Sequence, residues 1–225
     1  MTLGSVKDLQ RRKAELTKSL PHLFAFKHYP WSRLFFESQN RMTLLTAANQ
    51  IGKSTVQIRK CITWATDTSL WPKLWAPNKP PRQFWYLYPS GPLATAEFRL
   101  KWIPELMPKI GQKIPATMKP SDRPAAYYIL DKGKEECNDP TFGWKAYYDN
   151  KMVHYVKFAS GLELHFKSYT QNVHNLQAGT CHAIFCDEEI PRGDRRRTGS
   201  FGSASDTFQF GGLSGYMRCV HVNNV

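Results

Sequence analysis

The residues with the clearest chemical potential lie in two short segments that are far apart in the chain. The first is AANQIGKST, which matches the pattern GxxxxGKS/T except that Ala47 replaces the first glycine. A tight loop of this kind points backbone N–H groups inward, and the N-terminus of the next helix adds partial positive charge. We therefore expect these residues to bind a nucleotide's phosphates: Ala47, Ala48, Asn49, Gln50, Ile51, Gly52, Lys53, Ser54 and Thr55.

Individual residues of this loop have distinct expected roles. Gly52 lets the backbone approach a phosphate without a Cβ in the way. Lys53 would pair with the β- and γ-phosphates of ATP, and the Ser54 hydroxyl would ligate Mg²⁺. The alternative is an ordinary strand–turn–helix that contains Gly-Lys-Ser by coincidence. The apolar run before the segment and the helical spacing after it favour the phosphate site.

The second segment is an apolar run, AIFC, that ends directly in Asp187 and Glu188. Asp187 at a strand end would hold Mg²⁺, and Glu188 would orient and deprotonate the attacking water. An apolar strand followed by acids is weak evidence alone, because many strands end in acidic turns. Together with the upstream Gly-Lys-Ser it predicts a Mg²⁺-dependent ATP hydrolase in which Lys53 and Glu188 are catalytic and Ser54 and Asp187 hold the metal.

Apolar runs and helical spacing alternate around these two segments. We expect strands at residues 42–48, 84–88 and 182–186, with helices after the phosphate-binding loop and at residues 93–107. Strands that alternate with helices predict an α/β fold with a mainly parallel sheet flanked by helices.

Other stretches of the chain predict additions to that sheet. Residues 152–158 and 162–169 alternate in polarity around Ser160-Gly161, which predicts an antiparallel hairpin. Residues 111–150 are rich in Lys, Pro, Gly and Asp, so we expect an irregular insertion there. A proline-rich surface loop is expected to carry Trp71 and Trp75.

Composition limits the classes to which the protein can belong. The 225 residues carry 31 Lys and Arg against 18 Asp and Glu, a net charge of +13, and 41% are hydrophobic. This excludes a disordered chain, and no apolar run approaches the length of a membrane span. The basic N-terminal residues lack the apolar stretch of a signal peptide, so we expect a soluble cytoplasmic protein with an anionic partner, nucleic acid first.

The five cysteines are scattered and contain no CxxC pair. An odd, dispersed set does not predict a disulfide framework. Cys181, His182 and Cys186 cluster loosely, but their spacing fits no common zinc pattern. Buried structural thiols are the favoured interpretation over a zinc site.

Several motifs in combination resemble the ATPase domain of the large terminase subunit of tailed bacteriophages. They are the loop AANQIGKS, the segments SYTQ at 168–171 and NLQAG at 175–179, and the acidic strand end FCDEEIP at 185–191. The family's loop often lacks the first glycine and carries Asn-Gln or Arg-Gln before Gly-Lys. The similarity covers roughly residues 25–191.

This resemblance implies a fold and a biological role. The fold is a P-loop ATPase with an additional strand (ASCE type). The role is an ATP-driven motor that pumps double-stranded DNA into a procapsid, as a pentameric ring on the portal protein aided by a small terminase subunit, in the host cytoplasm. The alternatives are a helicase-like P-loop ATPase, or a truncated, non-catalytic remnant that binds DNA or portal.

Two departures from the family pattern concern the nucleotide site. The region that matches the family's adenine-contacting glutamine, Trp31-Ser32-Arg33, contains no glutamine, which leaves stacking by Trp31 or Phe35, or burial of both rings in the core. Gln50 stands where some members place an arginine, so a charge-compensating arginine must come from elsewhere or from a neighbouring subunit. Arg82 and Arg99 are candidates, although a solvated surface role is favoured for each.

The predicted organisation has three parts. Residues 1–24 form an N-terminal helical segment, and residues 25–191 form the ATPase core. Residues 192–225 are rich in Gly, Ser and Arg, and we expect a poorly ordered tail there. The family's nuclease domain and its metal-binding acids have no counterpart, so nuclease activity is not expected from this chain.

Overall fold

The computed structural model describes residues 10–11, 28–47, 51–75, 79–107, 111–139, 142–168, 181–187 and 218–224. Its α-helices are α1 (Pro30–Glu37), α2 (Lys53–Thr66), α3 (Trp71–Leu74), α4 (Gly91–Glu97) and α5 (Ile103–Leu106), with a π-helical turn at Phe98–Trp102 joining the last two. Short 3₁₀ turns lie at Thr68–Leu70 and Pro120–Asp122.

The strands described form a single sheet. They are β1 (Met42–Ala47), β2 (Gln83–Tyr88), β3 (Gln112–Lys113), β4 (Tyr127–Ile129), β5 (Glu136–Asn138), β6 (Trp144–Asp149), β7 (Met152–Phe158), β8 (Glu163–Ser168), β9 (Ala183–Asp187) and β10 (Arg218–Asn224). Their order is β1-β10-β9-β2-β8-β7-β6-β5-β4-β3.

The sheet has a parallel half and a largely antiparallel half. Strands β1, β10, β9, β2 and β8 pair in parallel, and β8 through β4 then pair antiparallel. The predicted α/β class is therefore confirmed, with a mainly parallel sheet to which antiparallel strands are added beyond β8. Among the described residues, no helix is long and apolar enough to cross a bilayer.

Both faces of the central strands are buried. On one face, side chains of β2 and β9 pack under helices α2 and α4, with the Tyr86 ring edge-on to Trp102 at 4.9 Å. On the other face, Trp85, Leu87 and Ile184 belong to a second apolar cluster. Burial on two faces explains why FWYLY is a continuous apolar run instead of an alternating one.

The predicted hairpin is confirmed in its strands, its turn and its faces. Strands β7 and β8 pair antiparallel around a turn in which Gly161 has φ 87°. Leu164 and Phe166 are buried, whereas the Glu163 and His165 side chains between them are partly exposed. The alternating polarity of the sequence therefore predicts correctly which side chains of β8 face the core and which face solvent.

The expectation of an irregular insertion at residues 111–150 is wrong for its second half. Strand β6 pairs with β7 along its whole length and buries Trp144 and Ala146. Only the first three residues of this strand alternate between buried and exposed, which is too short a pattern to predict a strand among Lys, Gly and Pro residues. The expectation of a surface loop is also wrong for Trp75, which is buried and donates from Nε1 to the carbonyl of His182 at 3.2 Å.

The expectation of a poorly ordered tail is wrong for Arg218–Asn224. This segment is strand β10, which pairs in parallel with β1 on one side and β9 on the other. The composition of residues 192–225 as a whole conceals it, because the β-branched Val220 and Val222 are outnumbered by Gly, Ser and Arg. The strand is short, and its partners lie far away in sequence.

Candidate functional site

The loop after β1 leads directly into helix α2. Gly52 precedes the helix in the left-handed region, with φ 86° and ψ 20°. A Cβ built on Gly52 would meet no atom within 4 Å, so backbone conformation and not crowding requires glycine there. Ala48, Asn49 and Gln50 lie outside the described residues.

The first residues of α2 present cationic and hydroxyl groups at the helix N-terminus. Lys53 is the first residue of the helix and is buried, at 5% exposure. Ser54 and Thr55 follow, half-buried, and the first turn contains no acidic residue. The partial positive charge of the helix N-terminus is therefore not compensated by an acid of this turn.

The two segments singled out in the sequence meet at one point. Ser54 Oγ donates to Asp187 Oδ1 at 3.0 Å, across 133 positions of sequence. Asp187 is the last residue of β9 and is buried, at 5% exposure. The predicted metal-binding pair is therefore brought into direct contact at the carboxyl edge of the parallel strands.

A second hydrogen bond joins the same helix to the same strand end. Gln57 Nε2 donates to the carbonyl of Cys186 at 3.0 Å, and both residues are buried. Sequence analysis did not select Gln57. The available signal was its spacing, because it lies one helical turn after Ser54 and falls on the sheet-facing side of the helix.

Tyr88 is the last residue of β2, at the carboxyl edge of the parallel strands where β9 ends in Asp187. Its hydroxyl accepts a hydrogen bond from Trp102 Nε1 at 2.9 Å. Burial raises the pKa of the Tyr88 phenol well above its ordinary value, and the negative charge of Asp187 adds to the shift. The Tyr88 phenol is therefore held in its neutral form.

The donor set at this edge fits a hard divalent cation. A serine hydroxyl and a carboxylate are the oxygen ligands that Mg²⁺ takes in nucleotide sites, and they already lie together. The part of the chain that the structure describes holds no cluster of three or more His, Cys, Asp or Glu side chains. Glu188, the predicted general base, lies outside the described residues.

The aromatic candidates for adenine stacking occupy different positions. Phe35 is buried in the core, with the Lys60 ammonium 5.0 Å from its ring centroid. Trp31 is partly buried against the core and lies parallel to Tyr29 at 6.4 Å. Phe35 is therefore excluded as a stacking partner for a base, because its ring is enclosed by the protein.

The two candidate arginines have other surroundings. Arg82 precedes β2, so it lies at the amino edge of the parallel strands, roughly 20 Å of strand from their carboxyl edge. Arg99 pairs with the buried Glu135 at 3.5 Å. Within one chain, Arg82 cannot reach the site, and Arg99 already neutralises a carboxylate.

The cysteines near the acidic strand behave as structural thiols. Cys181 and Cys186 are buried, and Cys181 Sγ contacts the carbonyl of Ala183 at 2.9 Å. The His182 ring lies at the opposite end of β9 from Cys186, with its Nδ1 3.5 Å from the backbone nitrogen of Arg82. The three side chains do not converge on one point.

The fold and the site together define a mixed α/β protein whose strand–loop–helix unit meets an acidic strand end. No family model matches the chain, and no curated protein matches it. Among solved structures it is similar to the large terminase ATPase domain of Thermus phage P74-26. An arginine-to-alanine mutant of that domain has a TM-score of 0.43 at 14% identity, with 89% of this chain and 66% of that chain covered.

A second structure of the same domain has a TM-score of 0.39 at 14% identity, with 89% of this chain and 83% of that chain covered. The chain thus spans slightly less than two thirds of the first structure. Both belong to the family that the sequence motifs resemble. A structural similarity at 14% sequence identity assigns no role to individual residues of this chain.

Proposed function

We propose that this chain is an ATP-hydrolysing subunit of a motor that moves double-stranded DNA into a viral procapsid. The observation that carries the proposal is the 3.0 Å hydrogen bond between Ser54 and Asp187. It joins the start of a glycine-preceded helix to an acidic strand end, as binding and cleavage of a Mg²⁺–nucleotide require.

The order of the central strands supports an additional-strand P-loop fold. Strand β1 leads into the phosphate-binding loop, and β9 ends in the acid, yet the two are not neighbours because β10 lies between them. A strand inserted at this position is what the ASCE class implies. The carboxyl edge of such a sheet is where ligands of open α/β folds bind.

Each residue of the site has a role in this proposal. Backbone N–H groups of residues 47–52 would surround the phosphates, and Lys53 would pair with the β- and γ-phosphates. Ser54 and Asp187 would hold Mg²⁺, which would supply charge neutralisation on the transferred phosphoryl group. Glu188, which directly follows Asp187, holds the attacking water and accepts its proton.

The remaining parts of the proposal rest on charge and on the resemblance. A net charge of +13 favours a partner with a phosphate backbone, and double-stranded DNA is the partner that a packaging ATPase moves. A ring of subunits on a portal protein, assisted by a small terminase subunit in the host cytoplasm, completes the assembly. An arginine from a neighbouring subunit would supply the missing positive charge at the γ-phosphate.

ATP turnover by the purified chain tests the site directly. We expect Mg²⁺-dependent hydrolysis that is lost in Lys53→Ala. Glu188→Gln should lower kcat by about 10²- to 10⁴-fold while nucleotide binding persists, because only the general base is removed. Lys73→Ala is the matched control, since Lys73 is an exposed lysine on α3.

Two results would contradict the proposal. If the folded wild-type chain binds no ATP in the presence of Mg²⁺, the proposed nucleotide site is wrong. If wild type and Glu188→Gln turn over ATP equally fast, Glu188 is not the general base, although this result does not contradict the nucleotide site. DNA as a partner is tested separately, by whether linear duplex DNA binds with an affinity that falls steeply as salt rises.

A further inference from the structure

The Gln57 side chain connects the helix and the strand that form the site, α2 and β9. It lies three residues after Ser54 on α2, about one helical turn further along, and its side chain is fully buried. Its amide nitrogen donates to the carbonyl of Cys186, the residue that directly precedes Asp187. Two hydrogen bonds, one turn apart, thus tie one helix to one strand end.

The two bonds constrain different parts of the strand end. The bond from Ser54 reaches only the carboxylate of Asp187, which can change rotamer without moving the backbone. The bond from Gln57 reaches the backbone itself, at the peptide group that links Cys186 to Asp187. It therefore restricts the position from which the Asp187 side chain extends.

We propose that Gln57 is a positioning residue that holds the Asp187 carboxylate against Ser54 and so sets the affinity of the site for its divalent cation. The inference rests on the proposed function for the identity of that cation. Residues that orient a metal ligand without touching the metal change affinity by about 10- to 100-fold when they are replaced. Gln57 itself would contact neither nucleotide nor metal.

Lys60 provides a matched control on the same helix. It is fully buried, like Gln57, and its Nζ also donates to backbone carbonyls, those of Phe35 and Ser38 at 2.6 Å each. These bonds lead to the end of α1 and not to β9. If variants at Gln57 and Lys60 both lower stability but only the Gln57 variant changes metal binding, the change in binding is not a result of lower stability.

The first measurement is metal binding by the full chain with the non-hydrolysable analogue AMP-PNP, with Mn²⁺ as the probe. Gln57→Met keeps the length of the side chain and removes the donor. We expect it to raise the Mn²⁺ dissociation constant about tenfold, while metal-free AMP-PNP binding changes less than twofold. Lys60→Met should lower the Tm and leave the Mn²⁺ constant unchanged. An unchanged Mn²⁺ constant in a folded Gln57→Met chain would overturn the proposal.

The second measurement needs no nucleotide. If Gln57 holds Asp187 against Ser54, the Tm losses of Gln57→Met and Ser54→Ala will not add, because either change weakens the same contact. Lys60→Met combined with Ser54→Ala should be additive. Additive Tm losses for Gln57→Met and Ser54→Ala would overturn this inference, whether or not the chain binds nucleotide. A failure to bind nucleotide would overturn the proposed function instead.

Discussion

Ser54 and Asp187 form a hydrogen bond between the first turn of α2 and the last residue of β9. If this pair holds a hard cation, a change of ligand type will change which cation supports hydrolysis. Ser54→Cys should lose most Mg²⁺-supported ATP hydrolysis and regain part of it with Cd²⁺, because a sulfur ligand prefers softer metals. The measurement is kcat with each ion over a range of concentrations.

Ser54→Ala is the control for that metal exchange, since alanine offers no ligand for either ion. Recovery with Cd²⁺ in Ser54→Ala, or no recovery in Ser54→Cys, would argue against Ser54 as a ligand. Thr55→Cys places sulfur one residue further along the helix and should show no such exchange.

Gly52 and Gly161 share a backbone conformation and differ in location. Both have φ near 86°, and a Cβ on either would meet no atom within 4 Å. An alanine at either position should lower the free energy of unfolding by about 1 kcal/mol, because the left-handed conformation is strained for it. Only Gly52→Ala should also weaken ATP binding, since its Cβ would project where the phosphates are proposed to lie.

Denaturant unfolding and nucleotide titration of the two glycine variants measure both effects. Equal loss of ATP affinity in Gly52→Ala and Gly161→Ala would show that general destabilisation is responsible. Gly52→Asn should be milder than Gly52→Ala in stability, because asparagine tolerates this backbone region.

Arg59 and Glu105 join α2 to α5 by a two-point ion pair, with N–O distances of 2.7 and 2.9 Å. Both side chains are nearly buried, at 11% and 12% exposure. Arg59→Met should cost about 3–5 kcal/mol, because the Glu105 carboxylate remains buried without its cation. Arg59→Met combined with Glu105→Met should recover most of that loss, as measured by denaturant unfolding; a double variant as unstable as the sum would contradict this.

His165 makes the stability of the β7–β8 hairpin sensitive to pH. Burial lowers its pKa below 6.5, and nearby Lys167 and His154 lower it further, against the opposing hydrogen bond to Glu163. The unfolded chain then binds a proton more readily than the folded one, so stability falls as pH falls below about 6.5. His165→Gln should lose less Tm than wild type between pH 7.5 and 5.5, and parallel Tm curves would refute the assignment.

The site was predictable from sequence to the extent that it is local. The strand, the glycine at positive φ and the helix start are encoded within residues 42–66, and the apolar strand before Asp187 is encoded within five residues. The contact between Ser54 and Asp187 could be anticipated because parallel strands present their carboxyl ends at one edge. The predicted hairpin likewise depended on neighbouring residues alone.

The features that sequence analysis missed depend on distant partners. Strand β10 is seven residues long and is ordered by pairing with β1 and β9. Strand β6 buries only alternate side chains within a polar, proline-containing stretch. The role of Gln57 depends on its hydrogen bond to Cys186, 129 positions away, which the sequence around Gln57 does not predict. None of these is visible in the composition or periodicity of its own segment.

The position of β10 has a consequence for how the protein is made. Synthesis proceeds from the N-terminus, so β1 and β9 are both made before the strand that lies between them in the sheet. Until β10 pairs, β1 and β9 share no neighbouring strand, and the helix after β1 meets β9 through contacts such as those of Ser54 and Gln57. The parallel sheet edge that carries Ser54 and Asp187 is therefore completed only once β10 is inserted between β1 and β9.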